Sequence, residues 1–203
     1  MVVTVSREYG AGGLAVAGGV AAALGYELMT DAIPETVAAR LGASCDDVRV
    51  HAESEPPLAD RILADLGAGT PEMGPGADPD PFDESVRREI ERAIRERAAR
   101  GDVVILGRVG NAVLAGTAGL LRAFVYADRD WRVRRIAGAL GLTPERAAAE
   151  VDRVDLVRRR FAADRYRIAW GDRRSYDVIV DTARVGIEGA VEAIAAAARS
   201  TRT

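Results

Sequence analysis

The chain has 203 residues, 48% of them hydrophobic, and a formal net charge of -3, so it can bury a sizeable core and carries no global basic field for a nucleic acid polymer. One cysteine, Cys45, excludes an internal disulfide, and one histidine, His51, leaves no His/Cys cluster for a structural zinc. No apolar run is long enough to span a membrane and no basic leader precedes Val2, so the reading is a cytoplasmic protein with no membrane partner.

In chain order, Val2 to Val5 is β-branched and apolar and predicts a buried strand. Ser6 to Gly13 is a turn, Leu14 to Leu24 a small-residue helix closed by Gly25, and Tyr26 to Met29 a second strand. Pro34 to Leu41 and Leu58 to Leu66 read as helices. Gly67 to Phe82, with four prolines and four glycines, reads as a loop. Asp83 is the expected cap of a charged helix running to Arg100. Val103 to Leu106, Leu121 to Tyr126 and Val178 to Val180 are bare apolar runs, the mark of strands buried on both faces. Asp128 opens one helix, Thr143-Pro144 another, and Gly186 to Arg199 closes the chain as an Ala-rich helix. Uniformly apolar strands alternating with helices predict an α/β fold, a parallel sheet with helices on both faces.

All 28 basic residues are arginines, since the sequence contains no lysine. Any cationic chemistry therefore falls to a planar, forked group suited to phosphate and carboxylate. The glycine-rich turn is where that chemistry is needed. Gly10, Gly12 and Gly13 let backbone approach a ligand closely, and the helix N-terminus behind them favours an anion. Gly10-Ala11-Gly12-Gly13-Leu14-Ala15 matches a dinucleotide fingerprint, with Asp31 near its acidic position, but four residues separate its first glycine from the strand. That longer turn has the reach of a phosphate-wrapping P-loop. Against G-x-x-x-x-G-K-[ST], Arg7 stands at the first glycine, Gly13 at the lysine and Leu14 at the hydroxyl. A chain that only binds nucleotide, its catalytic lysine gone, is the alternative from another class.

Val3-Thr4-Val5-Ser6-Arg7-Glu8-Tyr9-Gly10-Ala11-Gly12-Gly13 resembles the opening of the cytidylate kinase-like family. The likeness continues at Leu24-Gly25-Tyr26 with Asp31 and at Ile105-Leu106-Gly107-Arg108-Val109-Gly110-Asn111. It then runs from Asp155-Leu156-Val157-Arg158-Arg159-Arg160-Phe161 to Trp170-Gly171-Asp172 and Tyr176 to Thr182. The resemblance implies a three-layer P-loop NTPase-type fold in one domain, 1–203. In it 43–82 is a variable, acceptor-side loop region and 144–174 a helical, arginine-rich lid. It implies transfer of the ATP γ-phosphoryl group to CMP or dCMP with Mg2+, in a monomer or homodimer whose partners are its nucleotide substrates. Gly10, Ala11, Gly12, Gly13 and Leu14 would cradle ATP, while Asp31, Arg108 and Asp155 would serve the acceptor. A kinase for another small acceptor stays open.

The lid region is unusual in charge. Asp152 to Arg174 holds eight arginines against four aspartates inside an acidic protein. A solvated face laced by Asp155/Arg159 and Arg160/Asp164 pairs would explain part of this. Arginines closing over transferring oxygens would explain the excess. With no lysine to bridge the donor phosphates, the candidate catalytic cations are Arg7 in the turn and Arg132, Arg158 and Arg160 on the lid side. No protein metal ligands are predicted.

Overall fold

The apolar run that opens the chain forms strand β1 (Val2–Arg7), buried at every position but the last. It is the centre of a five-stranded sheet in the computed structural model, which describes residues 1–30, 40–41 and 81–201. The other strands are β2 (Glu27–Met29), β3 (Val103–Leu106), β4 (Leu120–Tyr126) and β5 (Val178–Asp181). Their order is β2-β3-β1-β4-β5 and every pairing is parallel. The chain winds first to one side of β1 and then to the other. Strand order therefore reverses at β1, and the carboxyl ends of β1, β3 and β4 lie at the topological switch point, where α/β sheets characteristically bind ligands.

Register decides which side chains meet on each face. Val3 and Val5 of β1 lie level with Val104 and Leu106 of β3 and with Leu121 and Ala123 of β4. These residues form one core with α1 (Gly13–Leu24) and the last helix, α6 (Thr182–Ser200). Each Val or Leu buried there contributes roughly 1.5–3 kcal/mol. On the opposite face lie Thr4 and Ser6, level with Ile105 and Phe124 respectively. A short helix, α3 (Gly110–Val113), covers part of that face so closely that a Cβ on Gly110 would sit 3.3 Å from Thr4 Cγ2. Phe124 packs edge-on against Trp170 and tilted against Tyr176. The three-layer α/β expectation is met.

Helix α4 (Arg129–Leu140) starts where Asp128 accepts from the N–H groups of Asp130 and Trp131. Helix α5 (Pro144–Tyr166) starts with Thr143 accepting from Arg146 N–H and proline in its first turn, as expected. Val133 and Ile136 of α4 pack on Ala147 and Val151 of α5, with Tyr9 against the cluster.

Two helix starts differ from expectation. Helix α2 (Pro81–Ala99) begins at Pro81, so Asp83 lies inside it and Pro81 and Phe82, read as loop, are helical, while the rest of that reading, 67–80, lies outside the described residues. Proline is tolerated in a first turn, where its missing N–H has no partner to lose. Helix α6 begins at Thr182, capped by Asp181, and Gly186 (φ 74°, ψ 173°) is a kink within it. The predicted helices over 34–41 and 58–66 lie outside the described residues, except for Arg40 and Leu41, which are helical.

By packing, the chain divides into two units, one of Met1–Thr30 with Ile94–Thr203, the other Asp31–Ala93. In the second, α2 carries i,i+3 and i,i+4 pairs from Arg87 to Glu84 and Glu91. The sheet and the site described next belong to the first.

Candidate active site

Strand β1 delivers its last residue, Arg7, into the turn before α1. Gly10 (φ 82°) and Gly12 (φ 80°) take left-handed backbone there, which a side chain would strain. Packing forbids side chains as well. A Cβ on Gly10 would press on Ile136 Cγ1 at 3.1 Å and on Arg132 Cβ at 3.2 Å, and one on Gly12 would overlap Ile187 Cδ1. Ala11 is fully buried, and its carbonyl accepts the Thr182 hydroxyl at 2.8 Å. The first helical bond of α1 runs from Val16 N–H to Gly12 O, so the N–H groups of Gly13, Leu14 and Ala15 precede the ladder. Gly12 offers them no side-chain cap. They form the anion-favouring end of α1. The Leu14 side chain is 61% exposed, so position 14 can offer a phosphate its backbone N–H only.

The turn is held from behind by a buried ion pair. Arg132 of α4 and Asp155 of α5 meet at 2.6 Å with side chains 8% and 4% exposed. Asp155 Oδ1 accepts the Tyr9 N–H at 2.9 Å, while Arg132 donates to the Tyr9 carbonyl and, through Nε, to the Ala127 carbonyl. Glu8 joins at 3.2 Å from Arg132 Nε and accepts from Ala127 N–H. Burial pushes the Glu8 carboxyl above the usual glutamate range, against the pull of Arg132. Arg132 and Asp155 thus tie the turn to both lid-side helices.

The remaining predicted cations divide. Arg158 of α5 donates from Nη1 to the Arg7 carbonyl at 3.3 Å, and its guanidinium lies 5.7 Å from the centre of the Tyr9 ring. Arg160, two residues on, is exposed. Two residues on a helix span about 200°, so Arg158 and Arg160 cannot serve one point. Arg108 follows β3 in a run of left-handed residues, Gly107 (φ 72°), Arg108 (φ 54°) and Val109 (φ 50°). Gly107 N–H donates to the Val5 carbonyl at 2.9 Å, which holds this bend beside the end of β1. The structure therefore brings Arg7, Arg108 and Arg158 to the carboxyl edge of β1 and β3, and Arg132 and Asp155 beneath the turn. Asp31 lies outside the described residues.

Sequence reasoning passed over Glu8, Thr182 and Arg135. Glu8 and Thr182 stand in quoted motif segments, which was their available signal. Arg135 had none, yet its Nη2 lies 3.6 Å from where a Cβ on Gly12 would be. No group of three or more metal-binding side chains occurs among the described residues. No described helix is long and apolar enough to cross a membrane.

A glycine turn at the switch point of a five-stranded parallel sheet, with Arg7, Arg108 and Arg158 at the same sheet edge, defines a P-loop-type kinase fold. Comparison with known proteins agrees. Residues 2–184 match the model of the cytidylate kinase-like family, and the chain belongs to that family. It is 30% identical over 138 residues to a cytidylate kinase of Ignicoccus hospitalis, covering 66% of this chain and 76% of that one. It is 25% identical over 193 residues to a cytidylate kinase of Pyrobaculum aerophilum, covering 94% and 89%. Among solved structures, an uncharacterized protein from Eubacterium ventriosum superposes with TM-score 0.69 at 19% identity, covering 98% of this chain and 99% of that one. A shikimate kinase from Bacteroides thetaiotaomicron superposes with TM-score 0.53 at 12% identity, covering 98% of each, a likeness of fold alone. Family and fold make this chain a kinase-type phosphotransferase of the nucleoside monophosphate kinase kind.

Proposed function

We propose that the chain transfers the γ-phosphoryl group of ATP to the phosphate of CMP or dCMP. The observation that carries this reading is the meeting of the glycine turn with Arg7, Arg108 and Arg158 at one sheet edge. In the transfer, an acceptor phosphate oxygen forms a bond to the γ-phosphorus while the bond from that phosphorus to the β–γ bridging oxygen breaks, and ADP leaves. Charge spreads over the transferring oxygens, and arginines held in a water-poor site stabilise it without reorganising. The N–H groups at the start of α1 receive the donor phosphates, and Arg108 grips the acceptor's phosphate. Residues 144–174 act as the lid, with Arg158 as its contact to the turn. Arg132 and Asp155 act as positioning residues for the turn. Asp31 serves the acceptor, as the family resemblance implies.

Magnesium accompanies ATP in this chemistry and neutralises phosphate charge. The loop does not supply its usual ligand, since Leu14 replaces the hydroxyl. That same replacement, with Gly13 in the lysine position, is what favours a second reading, a nucleotide-binding protein without transfer activity.

A coupled ADP-release screen over all ribo- and deoxyribonucleoside monophosphates, with ATP and magnesium, separates the two. CMP or dCMP should give the highest kcat/KM. Turnover with a different monophosphate alone would overturn the acceptor assignment, and ATP binding without turnover on any acceptor would favour the second reading. In the active enzyme, Arg108→Ala should weaken acceptor binding by about 1.5–3 kcal/mol, the worth of a charge-assisted contact, and leave ATP affinity nearly unchanged.

A further inference from the structure

Two departures from the P-loop pattern stand at opposite ends of the turn. An arginine, Arg7, replaces the first glycine, and a glycine, Gly13, replaces the lysine. In sequence these are separate losses. In space they occupy one volume. A Cβ on Gly13 would lie 2.5 Å from Arg7 Cβ and 2.6 Å from Arg7 Cγ, distances no side chain can accept. The Arg7 stem therefore fills the room in which a side chain at position 13 would have to begin. Its guanidinium continues toward β3, where a Cβ on Gly107 would lie 2.0 Å from Arg7 Nη1. Gly107 immediately precedes Arg108, so the Arg7 head group lies between the N-terminus of α1 and the arginine assigned to the acceptor.

We infer that Arg7 is the donor-phosphate cation of this protein, working from the strand side of the turn in place of a lysine on the helix side. Gly13 is the complementary half of the exchange, glycine because Arg7 crosses it. The inference rests on the phosphotransferase reading above and deepens it by choosing one cation among the four candidates. Arg132 is tied to Tyr9, Ala127 and Asp155. Arg158 reaches the backbone of Arg7, and Arg160 faces solvent. Of the four, Arg7 is the one whose stem occupies the place where a side chain at position 13 would begin. Arginine suits this route because its longer stem reaches the phosphates from a different direction and its fork can contact two oxygens together.

The test is an exchange of the two ends. Arg7→Gln, Gly13→Lys and the double variant Arg7→Gly/Gly13→Lys are compared with the parent for ATP affinity by calorimetry and for turnover. Thermal unfolding of each variant reports whether it is folded. Arg7→Gln should bind ATP about 10- to 100-fold more weakly, the loss of a contact to a charged group. Gly13→Lys alone should be at least as impaired and less stable, because both stems claim one volume. The double variant should recover ATP affinity to within about threefold of the parent, a difference of under 0.7 kcal/mol. Recovery in the pair, after loss in each single change, is a signature that a purely structural arginine would not give. If Arg7→Gln binds ATP like the parent, or if the folded double variant is no better than the worse single one, the assignment is wrong. An unfolded double variant leaves Arg7→Gln to decide. A parent that binds ATP and shows the exchange pattern but transfers phosphate to no acceptor keeps this inference and loses the kinase reading. A parent that binds no ATP overturns both.

Discussion

The Arg132 guanidinium is shared between the turn, through the Tyr9 carbonyl, the Ala127 carbonyl after β4, and the carboxylates of Glu8 and Asp155. Its partner Asp155 is as buried as it is, and each binds one side of the Tyr9 peptide region, N–H to the aspartate and C=O to the arginine. Truncating one member of such a pair leaves the other as an uncompensated buried charge, which typically costs about 3–5 kcal/mol. Arg132→Ala, which strands Asp155, should lose stability of that order in urea unfolding, and Asp155→Ala should lose less, because Glu8 still faces Arg132 at 3.2 Å. The double variant should cost clearly less than the sum, since the charge stranded by each single change is gone. Additive losses would show that the two side chains act separately. The same pair explains why charged residues sit in the interior of an otherwise aliphatic core. They complete hydrogen bonds of a turn whose glycines cannot do so themselves.

At the scale of elements, the bend after β3 is the most strained piece of described backbone. Three consecutive residues, Gly107 to Val109, are left-handed, and Val109 is β-branched. A β-branched residue there costs roughly 1–3 kcal/mol, and such strain persists only where its surroundings impose it. Here the imposing contacts are Gly107 N–H to Val5 O on one side and the start of α3 on the other. The bend holds β3 against β1 at the residue before Arg108. Val109→Gly should raise stability by about 1 kcal/mol in urea unfolding, the strain relieved less the extra entropy of an unfolded glycine. It should also weaken acceptor binding, because a looser bend no longer presents Arg108 in advance. A stability loss would mean that Val109 packing outweighs its strain.

For the whole molecule, binding and stability are linked. The donor N–H groups, the Arg132–Asp155 tie and Arg158 all converge on one turn, so a ligand there should stabilise the unit that contains the sheet. ATP at one hundred times its dissociation constant should add about 2.7 kcal/mol to unfolding free energy if it binds only the native state. Hydrogen exchange should slow over Val151 to Trp170 when both nucleotides are bound, because the arginine excess of this segment repels itself until phosphates neutralise it. Unchanged exchange with and without nucleotides would remove the lid from the mechanism.

The parallel sheet, the glycine turn and the starts of α1, α4 and α5 were legible in the residues because their causes are local, whereas the four-residue α3 was not read from the sequence. Runs such as Val103 to Leu106 have no polar face to show solvent, Thr143-Pro144 can begin a helix and little else, and three glycines in four residues admit only special backbone. Helix α2 and helix α6 start earlier than their sequences suggested, since Pro81 and Thr182 carry weaker local signals than Asp83 and Gly186. The roles of the arginines were not legible. All share one chemistry, and the sequence by itself determined only that any cationic work here falls to arginine. Which arginine is buried, which touches the turn and which faces solvent was decided by the packing of α4 and α5 on the turn, from sequence distances of more than a hundred residues. That Arg7 and Gly13 are two halves of one feature was likewise invisible in the chain, because only the folded turn lays the stem of one across the Cα of the other.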